Sequence, residues 1–235
     1  MDAIKRFGRA AKQFYFRYQH GTWITVYLIF YLLGFTIVEH AGHRHYHVIH
    51  SMIDDMIPFC EYFIIPYYLW FAFVAVGILW FVFFCKSRRE YYQLSSVLAI
   101  GMTAFLVVSC VFPNMQDLRP AVMEHQNVFT RMVEALYAAD TPTNILPSIH
   151  VFNSLAIFFA FNSSEQMQKH KVVRASIGVL ALLIILSTMF LKQHSVVDVS
   201  LGILMAVTVQ KFCEFIFQGS RETYKNRYGE RYLRG

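Results

Sequence analysis

Long runs of apolar residues, separated by short polar stretches, make up most of the chain. A transmembrane helix needs about 20 consecutive apolar residues, and six segments come close to that length. They cover residues 21–39, 60–85, 91–112, 145–161, 173–191 and 195–217. No internal repeat and no polar linker divides them. The pattern therefore predicts an all-α membrane protein with six transmembrane helices.

The composition agrees with this prediction. Hydrophobic residues make up 56% of the chain and charged residues only 15%, and the mean hydropathy is +0.40, which is too apolar for an ordinary soluble domain. We expect three parts: an amphipathic interfacial helix at 1–20, the six-helix transmembrane domain at 21–218, and a basic cytosolic tail at 219–235. The first part has apolar residues at helical spacing between basic ones, as in helices that lie on a lipid surface; an ordinary solvated helix is the alternative.

The positions of Lys and Arg predict the orientation. Seventeen of the 21 basic residues lie on one side of a six-span arrangement, and only Arg44, Arg119, Arg131 and Lys192 lie on the other. Basic segments resist translocation, so both termini should be cytoplasmic, and we expect the plasma membrane of a bacterium. The basic residues are dispersed around span ends rather than gathered on one soluble face, which argues against nucleic acid as a partner.

Two longer segments, 40–59 and 113–144, should lie on the outer side. The first contains five histidines within eleven residues, His40, His43, His45, His47 and His50. Imidazole is a common metal ligand, but neither strand nor helix periodicity brings all five to one face. An interfacial helix is the more typical explanation, with Asp54 and Asp55 facing solvent or pairing with Arg44.

The second outer segment predicts a short helical cap. Its apolar residues recur every three or four positions, which is typical of an amphipathic helix. They are Phe129, Met132, Val133, Leu136 and Tyr137. Four prolines surround this helix and punctuate the chain on either side of it.

Polar residues gather at the predicted outer boundary, where an ionisable side chain costs about 2.5–3.5 kcal/mol to insert. His194 and Asp198 share a helix face, so the carboxylate can orient the imidazole as a nucleophile or base. His150 enters from another helix and could supply an acid. Arg119 and Lys192 would bind an anion. Together these groups favour phosphoryl transfer, although Lys192 and Asp198 could be a structural ion pair and His150 a core residue.

At these residues the chain resembles the type 2 phosphatidic acid phosphatase superfamily, which includes lipid phosphate phosphatases and inositol phosphorylceramide synthases. Its members share a six-helix membrane core and three ordered signatures: Lys, six residues, Arg-Pro; Pro-Ser-Gly-His; and Ser-Arg, five residues, His, three residues, Asp. The corresponding stretches here are FPNMQDLRP (112–120), PSIH (147–150) and STMFLKQHSVVD (187–198). The similarity covers about residues 60–215.

The resemblance implies a metal-independent and cofactor-free mechanism. It makes His194 the nucleophile that forms a phosphohistidine, Asp198 the group that orients it, and His150 the acid for the departing group. Arg119 and Ser148 would hold phosphoryl oxygens.

Three positions depart from the signatures. Phe112 and Thr188 stand where the family has Lys and Arg, and Ile149 stands where it has Gly. Two phosphate-neutralising cations are therefore missing, and we expect Lys192 to reach the same phosphate. The departures resemble the branch that includes inositol phosphorylceramide synthases, which transfer a lipid head group to an alcohol.

We expect a lipid phosphate phosphatase acting at the outer leaflet, because outer loops this small would hardly shelter a second substrate from water. Transfer to an alcohol, a non-enzymatic metal-binding protein using the histidines at 40–50, and an inactive scaffold are the alternatives. The sequence leaves the particular lipid and the oligomeric state open.

Overall fold

The computed structural model describes residues 12, 13, 15–41 and 45–228, with side chains described as far as residue 218. Most of the predicted interfacial helix at 1–20 lies outside the described residues, although residues 15–18 are helical. His43 and Arg44 also lie outside them. The last helix continues to Tyr228, so the backbone shows no break at the predicted start of the tail.

Besides the helical residues before position 19, the described residues form eight α-helices, two short strands and two 3-10 turns. The helices are α1 (Gly21–Glu39), α2 (Met52–Met56), α3 (Ile64–Phe83), α4 (Arg88–Val111), α5 (Val128–Ala139), α6 (Ile149–Ser163), α7 (Lys171–Phe190) and α8 (Val196–Tyr228). The strands are β1 (His47–Val48) and β2 (Asn114–Met115), and the 3-10 turns are Glu61–Phe63 and Glu165–Met167.

Five helical segments are long and apolar enough to cross a membrane. They are Gly21–Glu39, Glu61–Phe83, Arg88–Val111, Lys171–Phe190 and Val196–Gln218. The sixth predicted segment forms α6, an apolar helix of only 15 residues. At 1.5 Å per residue it is about 22 Å long, which is shorter than the hydrocarbon core of a bilayer.

Helix α6 lies at the centre of the bundle. It packs against α3, α4, α7 and α8, and its side chains at Val151, Phe152, Ala156 and Ile157 are almost completely buried. A helix enclosed by longer helices does not itself have to match the bilayer thickness, because protein surrounds its ends. Both ends of α6 are therefore available for polar contacts, and its first turn carries His150.

The two predicted outer segments meet in a small parallel sheet. His47 pairs with Asn114 and Val48 with Met115, and the backbone N–H groups of His47 and Ile49 donate to the carbonyls of Pro113 and Met115 at 2.9 and 2.8 Å. The prediction of an interfacial helix across 40–50 is wrong for the described residues 45–50, because strand pairing satisfies their backbone. The sequence signal for helix was weak, since the histidines have no consistent 3.6-residue period.

Helix α5 is present where the sequence predicts a short amphipathic helix. Val133 and Leu136 are buried against Tyr67 at the start of α3 and Leu191 after α7. The Tyr137 hydroxyl donates to the Leu191 carbonyl at 2.6 Å. The helix therefore covers the junction between α7 and α8; its place on the outer side of a membrane stays a prediction.

Gly202 allows α8 to approach the residue that precedes α6. A Cβ at this position would lie 2.8 Å from the Ser148 carbonyl oxygen and 3.1 Å from Val151 Cβ. Both obstacles are fixed, one by the backbone and one by burial. The close contact of α6 and α8 therefore depends on a residue without a side chain.

We expect Gly202→Ala to lower the free energy of unfolding by about 1–3 kcal/mol, the usual cost of overpacking. Thermal unfolding of the detergent-solubilised protein measures this. Gly34→Ala is the matched control, because its Cβ would meet only the flexible end of Leu106, at 3.1 Å. Equal melting temperatures for the two variants would contradict the close-approach explanation.

Candidate active site

The starts of α6 and α8 are tied together by one residue. Ser148 is the N-cap of α6, and its hydroxyl accepts a hydrogen bond from the Val151 backbone N–H at 3.5 Å. Its own backbone N–H donates to the Asp198 carbonyl, in the first turn of α8, at 3.0 Å. This contact places His150, two residues after Ser148, beside the first turn of α8.

Helix α7 ends in a tight turn that sets the path of the chain into the site. Lys192 has a φ of 53°, in the left-handed region that commonly follows the last helical residue and that usually holds glycine. The backbone N–H groups of Gln193 and His194 both donate to the Thr188 carbonyl, at 2.9 and 3.0 Å. A lysine in this conformation costs about 1–3 kcal/mol, which the surrounding contacts offset.

His194 and Asp198 form the predicted pair. The Asp198 carboxylate hydrogen-bonds to His194 Nδ1 across one helical turn. His194 is 6% exposed and Asp198 is fully buried, so water competes little for this bond. A carboxylate acceptor fixes the proton on Nδ1 and leaves a lone pair on Nε2. The nitrogen that faces away from Asp198 is therefore the nucleophilic one.

His150 meets that nitrogen directly. Its Nδ1 lies 3.2 Å from His194 Nε2, and because Nε2 is the acceptor, the hydrogen-bond network assigns the shared proton to His150. The other side of the His150 ring packs against Tyr67 and Trp70, with ring centroids 4.9 and 4.3 Å away. The imidazole in the first turn of α6 thus meets the imidazole that directly precedes α8.

A small cavity opens beside the two rings. It has a volume of about 50 Å³ and is lined by His150, Gln193 and His194 together with Glu39, Asp140 and Asn144. One liquid water occupies about 30 Å³, so the cavity has room for a water molecule but not for a phosphate ester. A larger groove of about 530 Å³ lies between α1 and α3 at the opposite end of the bundle, and its lining is mainly apolar.

Arg119 lies behind Gln193 rather than in the cavity lining. Its guanidinium donates to the Gln193 side-chain oxygen at 2.7 Å and to the carbonyls of Asp140 and Tyr137 at 3.0 and 3.2 Å. It also lies over the Tyr137 ring, 4.5 Å from the centroid. Burial lowers the pKa of Arg119, although a guanidinium stays charged. The predicted phosphate ligand therefore contacts the cavity only through the Gln193 side chain, and its role toward phosphate stays a prediction.

Two further predicted phosphate ligands point elsewhere. Lys192 Nζ donates to the Asp54 carbonyl at 2.6 Å, and the fully buried Ser148 hydroxyl caps α6. Neither residue lines the cavity beside the histidines. The structure brings His150, His194 and Asp198 together, with Arg119 adjacent, and gives Lys192 and Ser148 structural contacts; their role toward phosphate stays a prediction.

Asp54 was expected to face solvent or to pair with Arg44, and the structure places it in the interior at 2% exposure. Its carboxylate accepts from the Ser195 hydroxyl at 2.6 Å and from the Val196 backbone N–H at 2.7 Å. It therefore caps the start of α8, directly after His194. A capping box in the sequence, Ser51 followed three residues later by an acid, marks Asp54 as structured.

Three further polar residues of the cavity lining, Glu39, Asp140 and Asn144, are not predicted by any sequence motif. Glu39 ends α1 and hydrogen-bonds to Thr141 and to the Asn144 amide. Burial raises the pKa of Asp140, whereas the nearby His194 and Arg119 act in the opposite direction. These acids come from distant parts of the chain, so no local motif reveals them.

Phe112 and Thr188, which stand where the family signatures have Lys and Arg, make structural contacts. The Phe112 ring stacks on His47, with centroids 4.5 Å apart and planes 7° apart. The Thr188 hydroxyl donates to the Ile185 carbonyl of its own helix at 2.7 Å. Neither side chain offers a positive charge to the cavity.

Three of the described histidines in the predicted outer segment contact residues other than histidine, and the His45 ring contacts that of His47. His50 pairs with Asp55 at 2.9 Å, which raises the pKa of His50, and His40 bonds to the Thr36 carbonyl at 2.9 Å. Within the described residues no group of three or more His, Cys, Asp or Glu side chains is placed to hold a metal ion.

We expect Asp54→Ala to destabilise the protein by about 1–3 kcal/mol or more, because it leaves the Ser195 hydroxyl and the Val196 N–H buried without an acceptor. The melting temperature in detergent measures the loss. Asp55→Ala is the matched control, since the neighbouring carboxylate is exposed and pairs only with His50. Similar losses in both variants would contradict a capping role for Asp54.

Comparisons with known proteins locate this site within one family. A model described as the PAP2 superfamily matches residues 114–220. No curated protein and no solved structure matches the chain significantly. The matched segment contains every residue that the sequence proposes for the site. The resemblance drawn from the sequence is therefore confirmed: the segment that carries His150, His194 and Asp198 matches the model of the PAP2 superfamily, whose members are phosphatases or phosphotransferases.

Proposed function

We propose that this protein is an integral membrane lipid phosphate phosphatase that acts at the outer leaflet through a phosphohistidine on His194. The observation that carries the proposal is the chain of contacts from Asp198 to His194 Nδ1 and from His194 Nε2 to His150 Nδ1. It provides an oriented nucleophile and a proton donor on opposite sides of the place where phosphorus would enter.

In the first step, the lone pair of His194 Nε2 attacks phosphorus and the bond from phosphorus to the lipid oxygen breaks. The bound anionic phosphate stabilises the imidazolium form of His150, which passes its Nδ1 proton to the departing alkoxide, so that the lipid leaves as an alcohol. The Asp198 carboxylate offsets the positive charge that His194 acquires when it carries the phosphoryl group.

In the second step, neutral His150 accepts a proton from a water molecule as that water attacks phosphorus. The bond between His194 and phosphorus breaks, inorganic phosphate leaves, and the starting protonation is restored. The same group therefore serves first as acid and then as base, as microscopic reversibility requires.

The direct contact between the two rings implies a rearrangement on binding. In-line transfer places phosphorus between the nucleophile and the leaving oxygen, and a separation of 3.2 Å between the nitrogens leaves no room for it. We propose that substrate separates the rings, with His150 moving against Tyr67 and Trp70 while the bond to Asp198 holds His194.

Transfer to an alcohol is the second candidate, and one feature of the cavity favours it. Glu39 and Asp140 line the wall near the histidines, where carboxylates repel a free phosphate dianion but accept hydrogen bonds from hydroxyl groups. An acceptor alcohol would discharge the same phosphohistidine in place of water. The metal-binding alternative gains no support from the described histidines, three of which contact residues other than histidine.

The reaction is tested with purified protein, labelled lipid phosphates, and a panel of alcohols added or omitted. We expect an acid-labile phosphoryl group on the wild-type protein and none on His194→Ala, because that variant lacks the attacking nitrogen. Release of inorganic phosphate without an alcohol supports hydrolysis, whereas product formation only with an alcohol supports transfer. His47→Ala is the control, since His47 lies outside the cavity lining; loss of labelling in it but not in His194→Ala would overturn the mechanism.

The orientation is tested by cysteine labelling in intact cells. The four native cysteines are first replaced by alanine, and single cysteines are then placed at Asp117 or Lys169. We expect a membrane-impermeant maleimide to label the variant at 117 and not the one at 169, because the basic turns should face the cytoplasm. Labelling at 169 alone would reverse the topology and place the site on the inner face.

A further inference from the structure

The chain lacks two of the family's phosphate-binding cations, and the cavity contains a buried hydrogen-bond donor that has no acceptor within the part of the chain that the structure describes. Gln193 is 3% exposed and lines the cavity with His150 and His194. Its side-chain nitrogen is buried and has no hydrogen-bond partner among the described residues. An unpaired buried donor is unfavourable, so a ligand that accepts a hydrogen bond from this nitrogen gains from the contact.

The orientation of the amide is fixed by its other end. The guanidinium of Arg119 donates to the Gln193 side-chain oxygen at 2.7 Å, and a guanidinium cannot accept a hydrogen bond. The oxygen must therefore face Arg119 and the nitrogen must face away from it. The backbone is fixed as well, because the Gln193 N–H donates to the Thr188 carbonyl at 2.9 Å.

We propose that Gln193 donates its side-chain N–H to a phosphoryl oxygen during transfer to His194, and that Arg119 polarises the amide from behind. The proposal rests on the phosphoryl transfer proposed above and adds a catalytic residue to it. A cation bound to the amide oxygen strengthens the N–H as a donor. Gln193 thereby passes part of the charge of Arg119 to the phosphoryl group, at a site where Phe112 and Thr188 supply none.

Gln193→Glu separates a donor role from a structural one. A carboxylate keeps and strengthens the contact with Arg119 but has no N–H to donate, and it repels phosphoryl oxygens. We expect the rate of His194 phosphorylation by a short-chain phosphatidate to fall at least 100-fold, the usual effect of removing one such donor. If Gln193 only held Arg119 in place, the Glu variant would retain wild-type activity, and the proposal would be overturned.

Gln116 supplies a matched control. It is also buried, its side-chain nitrogen also lacks a partner, and its oxygen accepts from the Leu118 N–H at 2.6 Å, yet it does not line the cavity. We expect Gln116→Glu to phosphorylate His194 within about threefold of the wild-type rate. Gln193→Met and Gln116→Met repeat the comparison without a buried charge, and melting temperatures identify any variant that fails to fold.

Binding of orthovanadate is a second measurement that does not depend on which lipid is the substrate. Orthovanadate imitates the five-coordinate phosphorus of the transition state and carries no alkyl group. We expect its dissociation constant to rise at least tenfold in Gln193→Met and to change less than threefold in Gln116→Met. A wild-type protein that is never phosphorylated on His194 would refute the proposed function. A phosphorylated wild type with unchanged rate and vanadate affinity in Gln193→Met would refute only the role of Gln193.

Discussion

The carboxylate of Asp54 fixes the start of α8 beside the candidate site. Asp54 itself lies before the matched family segment, residues 114–220. It accepts from the Ser195 hydroxyl and the Val196 N–H at the first residues of α8, where a helix carries partial positive charge and unpaired donors. Buried donors without an acceptor would be costly, so the start of α8 is stable only with Asp54 in place. Because His194 directly precedes these residues, the position of the nucleophile depends on an acid about 140 residues earlier in the chain.

The same region ties the outer segments to the bundle. Lys192 donates to the Asp54 carbonyl, and Ser148 donates to the Asp198 carbonyl. The start of α6 and the first turn of α8 are thus joined by a backbone hydrogen bond, and the residue after α7 is tied to Asp54 through its side chain. Apolar contacts among Val151, Ile185 and Val199 add to these bonds. Directional bonds fix angles as well as distances, which explains how His150 and His194 are held within hydrogen-bonding distance of each other.

The sequence predicts the parts of this architecture that repeat or follow a motif. Apolar runs locate the helices because a bilayer requires them, and the spacing of His194 and Asp198 places both on one turn. The contacts of Glu39 and the contacts of Asp54 with α8 could not be predicted, because the partner residues are more than 100 positions away. Asp140 likewise meets Arg119 and His194 from other segments of the chain, and no local pattern encodes such contacts. The parallel pairing of His47 with Asn114 is also non-local. The charge of Lys192 predicts a phosphate ligand, but this prediction does not take account of the backbone. Lys192 lies in a left-handed turn, and its side chain contacts the Asp54 carbonyl.

Acidic side chains outnumber basic ones around the cavity, so the site does not attract phosphate by net positive charge. Glu39, Asp140 and Asp198 are acidic, and Arg119, the one predicted phosphate-binding cation placed beside the cavity, reaches it through Gln193. Such a site binds a highly charged ground state weakly. It can still favour a transition state, because fixed dipoles and helix starts need not reorganise as charge moves. For the phosphoryl transfer proposed above, weak binding of the charged ground state has one consequence: inorganic phosphate would leave readily after hydrolysis, and the two histidines would return to contact.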